Sequence, residues 1–376
     1  PYWRMVALDE YRDGTFTASR GLIRHDRHLP EQRELAGTGA SAGATVWTFY
    51  YEAGVSRFLP LTGAFGRMQL RDARALVENR RAATLALRDE PQTMFAYRVQ
   101  GLALGGELVD PELAGELHSG GEAAARAGDF PRTLLAVPAG ANNAAALDAI
   151  LNEIRGGARL TAAEFSQRAI DWLGKRHRYS MRSKVPEGAE DVLVRWLHSD
   201  TPGHCELFAG GFALLARRAG FPVRVVIGFK GGAWNGFEQY FMVRNSDAHA
   251  WCEIYDERGC WVRVDPTPGA SAEMATAQAV GRRALEVDRG WPARLDALRM
   301  LWYRRIVNFD HGAQEEVGAT LKTFTQNAGR ALLAKLDNWG NAARDWLLRP
   351  WNFSRLARWG CVAALGAALA WAAWHW

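Results

Sequence analysis

The sequence carries a nucleophile, a base and an acid in three separate stretches. Cys205 lies in GHCELFAGG, between a Pro-Gly turn and a run of small residues. His249 lies in SDAHAWCEIYD, and Asp265 lies in WVRVDPTPG. A thiolate that attacks a carbonyl carbon needs a base to move protons, and the base needs a group that orients it. These residue types therefore predict a cysteine nucleophile assisted by a histidine and an aspartate.

A helix is predicted over 206–219, directly after Cys205. Leu and Phe recur along it, Arg217 and Arg218 fall in its last turn, and Gly220 ends it. The unpaired N–H groups and the dipole at a helix start favour negative charge, and hence a thiolate. The alternative is that Cys205 is a small apolar residue filling a buried helix end, and this stretch alone does not decide between the two.

Two glycines interrupt the middle of this predicted helix. Glycine costs about 1 kcal/mol relative to alanine in a helix interior. Gly210 and Gly211 are therefore expected where another backbone packs closely, which makes this a central, buried helix.

A β-hairpin is predicted to bring His249 and Asp265 together. The residues 257–259, Glu-Arg-Gly, suit a three-residue loop with Gly259 in the left-handed conformation. In that register His249 and Asp265 are diagonal neighbours on one face, about 7–8 Å apart between backbones. A loop of two or four residues would place them on opposite faces. Singly, a strand histidine and an aspartate before proline are usually structural; the three residues together favour catalysis.

The rest of the chain divides by its secondary-structure pattern. Alternating residues in 45–53 and 92–100 predict short antiparallel strands, and 26–43 is predicted to be a long loop. A helix over 143–157 should end on its two glycines, and Thr161 with Glu164 predicts a capping box. The predicted segments are a β-rich sandwich or barrel-like domain over 1–110, a connecting segment over 111–142, the catalytic core over 143–280, an amphipathic helical segment over 281–350 and an apolar helix over 359–376.

The stretch 359–376 contains no Lys, Arg, Asp or Glu. At 1.5 Å per residue its length approaches the bilayer core of about 30 Å, and tryptophans at its ends suit a membrane interface. A transmembrane helix is predicted here, and a buried helix of a soluble protein is the alternative.

Composition excludes several classes of function. The net charge of +5 comes from Lys and Arg spread along the 376 residues, so no nucleic-acid binding is predicted. The four cysteines are too few for a disulfide framework, and no CxxC spacing occurs. The histidines of HDRH and KRHRY have no second cluster at ligand spacing, and no acidic loop suits calcium. We predict no metal and no cofactor.

Because the chain begins with Pro1, it is expected to be part of a longer polypeptide.

Three stretches resemble the signature blocks of the transglutaminase-like cysteine enzyme superfamily, above all its bacterial membrane-anchored TgpA-type protein-glutamine gamma-glutamyltransferases. They are GHCELFAGGFALLARRAGFPVRVVIGFKGG, SDAHAWCEIYD and WVRVDPTPG. The resemblance is very specific over 203–269, moderate over 1–110 and weak over 280–350. It implies an α+β protein with a papain-like core, in which a central helix packs on an antiparallel sheet. An N-terminal all-β domain and C-terminal helices would flank this core.

The resemblance also implies a catalytic triad of Cys205, His249 and Asp265. The thiolate would form a thioester with a protein glutamine or a peptide amide and pass the acyl group to an amine or to water. A cysteine protease or amidase of the same fold is an alternative, as is a non-catalytic peptide-binding module of the cell envelope. The second oxyanion donor is left open between Trp196 and the backbone near His204.

The same resemblance implies a membrane location. The C-terminal helix would anchor the protein in the cell inner membrane, with the catalytic domain on the periplasmic side. By the positive-inside rule, the arginines just before 359–376 would instead put that side in the cytoplasm. We follow the topology of the family.

Overall fold

The computed structural model describes residues 1–39, 45–52, 54–105, 107–119, 130–235 and 240–268. The predicted segments 281–350 and 359–376 lie outside these residues. Among the described residues, no helix is both long enough and apolar enough to cross a membrane. Two five-stranded sheets and several helices make this a mixed α+β fold, as predicted.

The central sheet gathers strands from both ends of the described chain. In spatial order it contains β1 (Tyr2–Leu8), β10 (Val223–Lys230), β13 (Ala248–Tyr255), β14 (Cys260–Val264) and β9 (Glu107–Val109). Every neighbouring pair is antiparallel. Since β1 and β9 precede residue 110, the chain crosses the predicted domain boundary to complete this sheet. The division into domains stays a prediction.

The second sheet is formed by the N-terminal part of the chain. In spatial order it contains β4 (Asp26–Ala36), β6 (Arg67–Asn79), β8 (Phe95–Gln100) and β5 (Val46–Tyr51), with β7 (Thr84–Leu87) also paired to β6. The strands predicted within 45–53 and 92–100 are thus present and pair with each other. Two small ribbons complete the strands: β2 (Glu10–Arg12) with β3 (Thr15–Thr17), and β11 (Ala233–Asn235) with β12 (Tyr240–Met242).

The loop predicted over 26–43 is wrong for its first part, which forms strand β4. This strand lies at the edge of its sheet, and most of its side chains are exposed or half-buried. Pro30 has no N–H to donate, and the pairing with β6 shifts twice between Leu29 and Glu34. Irregular pairing of an exposed edge strand removes the two-residue alternation on which sequence prediction depends.

Six helices cover or flank the sheets within the described residues. They are α1 (Arg20–Ile23), α2 (Pro111–Ser119), α3 (Ala141–Arg155), α4 (Ala162–Arg176), α5 (Val192–Leu197) and α6 (Cys205–Arg218). The predicted end signals are confirmed: Gly156 follows α3 in the left-handed conformation, with φ of 56°. Thr161 and Glu164 form the predicted reciprocal capping box of α4.

Helix α6 is the centre of the main core. All its residues from Leu207 to Arg217 are buried, and the inward side chains of β13 join the same apolar cluster. A Cβ at Gly210 would lie 2.7 Å from Leu193 Cδ1, and one at Gly211 would lie 2.9 Å from Trp196 Cζ3. The two glycines therefore admit side chains of α5, whereas the sequence suggested the approach of another backbone.

Gly228 of β10 generates a testable prediction, because it faces the irregular part of β1. A Cβ there would lie 2.0 Å from the carbonyl oxygen of Trp3, and backbone cannot yield as a side chain can. We expect Gly228→Ala to lower the free energy of unfolding by about 1–3 kcal/mol, measured by urea denaturation.

Gly174→Ala is the matched control for this variant. A Cβ at Gly174, within α4, meets no atom within 4 Å. This variant should be as stable as the wild type or up to about 1 kcal/mol more stable. Equal stability of Gly228→Ala and the wild type would contradict the tight packing of β1 against β10.

Candidate active site

Cys205 is the first residue of α6, and its side chain is half-buried. The preceding residue, His204, makes no side-chain hydrogen bond to the first turn of the helix. The first N–H groups of a helix have no partner within it. Gly203 exchanges backbone hydrogen bonds of 2.9 and 2.8 Å with the segment 178–180. These bonds fix the loop that leads into α6 and so fix the start of the helix at the thiol.

The hairpin of β13 and β14 has the predicted register. Tyr255 pairs with Trp261, and Gly259 has a φ of 79° in the connecting loop. As a result, His249 and Asp265 lie on the same face of the ribbon, and His249 Nε2 is 2.8 Å from Asp265 Oδ2. The prediction that this loop brings the imidazole and the carboxylate together is confirmed by this geometry.

Asp265 is fully buried and surrounded by donors. Its Oδ2 accepts a hydrogen bond of 2.7 Å from the Tyr2 hydroxyl and lies 3.4 Å from Lys230 Nζ, while Oδ1 accepts from the Thr267 N–H. Burial opposes ionisation of Asp265. The hydrogen bond and charge of His249, helped by Lys230 and Tyr2, outweigh burial and lower the pKa to about 2.

His249 Nε2 contacts Asp265, and Cys205 lies near enough to influence the pKa of the imidazole. Since Nε2 serves the carboxylate, Nδ1 is the ring nitrogen left for the thiol. Burial lowers the pKa of His249, but the hydrogen bonds and charges of Asp265 and Cys205 outweigh it and raise the pKa to about 9. The ring also stacks on Trp251, with an interplanar angle of 21°. At neutral pH the thiol therefore faces an imidazolium.

Sequence reasoning missed Tyr2 and Lys230 at this site. Tyr2 lies 263 positions before Asp265, so no local pattern connects them. Lys230 ends β10, next to β13 in the sheet, and a strand-order prediction would have been needed to find it.

Tyr179 is a third residue that the sequence did not single out. It forms a β-bridge with Gly203, and its side chain is exposed. Partial burial raises the pKa of Tyr179, and the nearby charges of Cys205 and Asp265 raise it further. Its hydroxyl thus lies in the electrostatic field of the site. The KRHRY stretch that contains it shows no sequence pattern that would mark this tyrosine as part of an active site.

Trp196, one of the two candidates for the second oxyanion donor, is fully buried. Its ring stacks on His177 at a centroid distance of 4.0 Å and lies beneath Gly203, where a Cβ would be 3.2 Å from Nε1. Nε1 is buried without a hydrogen-bond partner in the part of the chain that the structure describes. A buried Nε1 cannot contact a bound substrate, so the backbone near His204 is the candidate that stays for the second oxyanion donor.

Residues 148–266 match the family model of the transglutaminase-like superfamily. They form a transglutaminase-like domain. The predicted superfamily is therefore confirmed for this stretch. Within the described residues, no group of three or more His, Cys, Asp or Glu side chains is arranged to hold a metal ion.

Two curated proteins resemble this transglutaminase-like domain in sequence. A protein-glutamine gamma-glutamyltransferase of Pseudomonas aeruginosa is 39% identical over 84 residues, which cover 22% of this chain and 13% of that protein. The uncharacterized protein YebA of Bacillus subtilis is 34% identical over 89 residues, which cover 23% of this chain and 12% of that protein. The matches thus span about an eighth of the length of each relative.

One solved structure resembles the chain over a larger part. It is the crystal structure of the periplasmic domain of TgpA from Pseudomonas aeruginosa bound to ethylmercury, with 21% sequence identity. The match covers 73% of this chain and 86% of that chain, with a TM-score of 0.49.

The titration of His249 tests the geometry of the site directly. We expect its ring resonances, followed by NMR, to titrate at about pH 9 rather than near 6.5. Asp265→Asn removes the carboxylate that raises this pKa and leaves the burial that lowers it, so the midpoint should fall by more than one pH unit.

Glu206→Gln is the matched control for the titration. Glu206 is an exposed carboxylate next to Cys205 in sequence, so its removal changes the charge near the site but breaks no bond to His249. This variant should leave the His249 midpoint near pH 9. A wild-type midpoint near 6.5 would contradict the hydrogen bond to the buried carboxylate of Asp265.

Proposed function

We propose that the transglutaminase-like domain is an acyltransferase that forms a thioester between Cys205 and the carboxamide of a protein glutamine. The observation that carries this proposal is the 2.8 Å contact of His249 Nε2 with the buried carboxylate of Asp265, on an imidazole whose pKa is also raised by Cys205. A nucleophile, a base and an orienting acid within hydrogen-bond reach are what nucleophilic catalysis requires.

The first half-reaction breaks the carbon–nitrogen bond of the amide. The Cys205 thiolate attacks the carboxamide carbon, and the oxyanion that forms accepts hydrogen bonds from the open N–H groups at the start of α6. The imidazolium of His249 gives its proton to the leaving nitrogen. Ammonia departs, and the acyl group stays on sulfur as a thioester.

The second half-reaction restores the thiolate. A primary amine attacks the thioester carbon and loses a proton to the now neutral His249, and the sulfur leaves as thiolate. Glutamine and amine thus become a secondary amide and ammonia. Water in place of the amine would give glutamate, so exclusion of water from the cleft decides between transfer and deamidation.

Asp265 and Tyr2 act through the imidazole in this proposal. The carboxylate holds the ring in one orientation and keeps it protonated, and the Tyr2 hydroxyl holds the carboxylate. From the family resemblance we also propose that the domain lies on the periplasmic side and that residues 359–376 anchor it in the membrane.

The acyl-transfer proposal is tested with the full chain, a glutamine-containing protein and a labelled primary amine. We expect incorporation of the label at glutamine with release of one ammonia per label, followed by mass spectrometry and an ammonia assay. Cys205→Ala should lower the rate by at least about 10⁴-fold, and His249→Ala by about 10²–10⁴-fold.

Cys260→Ala is the matched control, since Cys260 is also a free, half-buried cysteine but lies at the far end of β14. It should retain activity. Cleavage of the protein backbone without label incorporation would favour a cysteine protease. A thiol-reactive probe that fails to label Cys205 in the folded protein would favour a non-catalytic peptide-binding module.

The pH dependence of the reaction follows from His249. Because its pKa is raised to about 9, the imidazolium is present at neutral pH and is lost as the pH rises through about 9. We expect kcat/KM to fall above about pH 9, and the fall to move to lower pH in Asp265→Asn. An activity that keeps rising between pH 9 and 10 would contradict the role of the imidazolium as proton donor.

A further inference from the structure

An open cavity of about 620 Å³, lined in part by the loop that leads into α6, carries an excess of positive charge. Its lining residues are Trp172, Lys175, Arg176, Arg178, Asp200 and Pro202, and we call it the cationic cavity. Three of these side chains are cationic and one is anionic, so the excess is two positive charges. No Asp or Glu occurs over the whole stretch 172–186, in which Arg182 and Lys184 add two more cations.

The cationic cavity lies close to Cys205 along the chain. Pro202 lines it, and Cys205 follows three residues later, a span of at most about 11 Å. Gly203 donates a backbone hydrogen bond of 2.9 Å to the carbonyl of Arg178, which holds the basic stretch against the loop before α6. A peptide whose glutamine side chain reached Cys205 would therefore bring its residues about three or four positions away to the cavity.

Two cations of the cavity lack the ion pairs that other exposed arginines form. Arg218 bonds Asp148 at 2.6 Å, and Arg258 is paired with two carboxylates. By contrast, Lys175 and Arg178 form no ion pair with any of the described residues. Charges without an ion-pair partner that converge on a cavity favour an anionic ligand, because among the described residues no carboxylate is bound to Lys175 or Arg178 and has to be displaced first.

Trp172 adds an aromatic surface to the lining of the cavity. Trp172 is half-buried, its Nε1 donates a hydrogen bond to Glu153, and the guanidinium of Arg176 lies 5.4 Å from its ring centroid. A flat ring beside cationic groups suits the methylene groups and carboxylate of a glutamate or aspartate side chain. The combination fits a peptide better than a bare inorganic anion.

We propose that the cationic cavity binds acidic residues that flank the reactive glutamine of the acyl-donor protein. This inference rests on the proposed function, to which it adds a substrate class. Lys175 and the forked guanidinium of Arg178 would donate charge-assisted hydrogen bonds to the carboxylates. Such complementarity selects the donor glutamine by its sequence neighbours and speeds the encounter with it.

The test measures binding separately from turnover. The full chain with Cys205→Ala is titrated with fluorescent peptides that share a central glutamine and differ about three and four positions away on both sides. These positions carry Glu in the first peptide, Gln in the second and Lys in the third. We expect the acidic peptide to bind about tenfold more tightly than the uncharged one, with a difference that shrinks at about 0.5 M salt.

Charge reversal locates the effect on the protein. Lys175→Glu combined with Arg178→Glu should abolish or invert the preference for the acidic peptide. Arg182→Glu combined with Lys184→Glu makes the same charge change on the same stretch but outside the cavity, and it should keep the preference. Because all four side chains are exposed, the folding of both variants can be checked by thermal unfolding.

Two results would overturn the inference. One is an affinity that does not depend on the charge of the peptide, and the other is an equal loss of the acidic preference in the two double variants. Displacement of the acidic peptide by a DNA oligonucleotide or by phosphatidylglycerol vesicles, at lower concentration than by unlabelled peptide, would also overturn it.

In the wild-type chain, kcat/KM for amine incorporation should be higher for the acidic peptide. If that peptide binds as expected but is never acylated onto Cys205, the proposed function fails while the cavity keeps its acidic-peptide specificity.

Discussion

The site depends on one buried charge, the carboxylate of Asp265. An ionised carboxylate without contact to water is costly unless donors surround it, and removal of one partner of a buried pair typically costs about 3–5 kcal/mol. Here the donors come from β1, β10, β13 and the chain just after β14. The order of strands in the central sheet is therefore the arrangement that lets Asp265 stay ionised and hold His249.

Strand β13 connects this polar site to the apolar core through its two faces. Ala250, Cys252 and Ile254 pack with α6 in the main cluster. His249, Trp251 and Glu253 lie on the other face, where Glu253 forms buried ion pairs with Arg4 and Arg224. The helix that begins at Cys205 and the strand that carries His249 are thus packed against each other directly, so the two reacting groups are positioned by the same core.

The parts of the site that depend on local sequence could be predicted. The loop before Gly259 sets the register of His249 against Asp265, and the apolar pattern after Cys205 sets α6; both are short-range signals. Tyr2 could not be predicted, because its contact with Asp265 depends on strand order rather than on neighbouring residues. Strand β4 was missed for a different reason: its exposed edge position and Pro30 remove the alternation that marks a strand.

The contact between Tyr2 and Asp265 has a consequence for how the molecule is made. Strand β1 is synthesised long before its partner β10. The hydrogen bond of Tyr2 can form only when Asp265, 263 residues further on, has been synthesised. During synthesis β1 must therefore stay unpaired or be protected by other contacts. The reactive centre assembles only after almost the whole described chain has been translated, which delays thiol activation until the fold is complete.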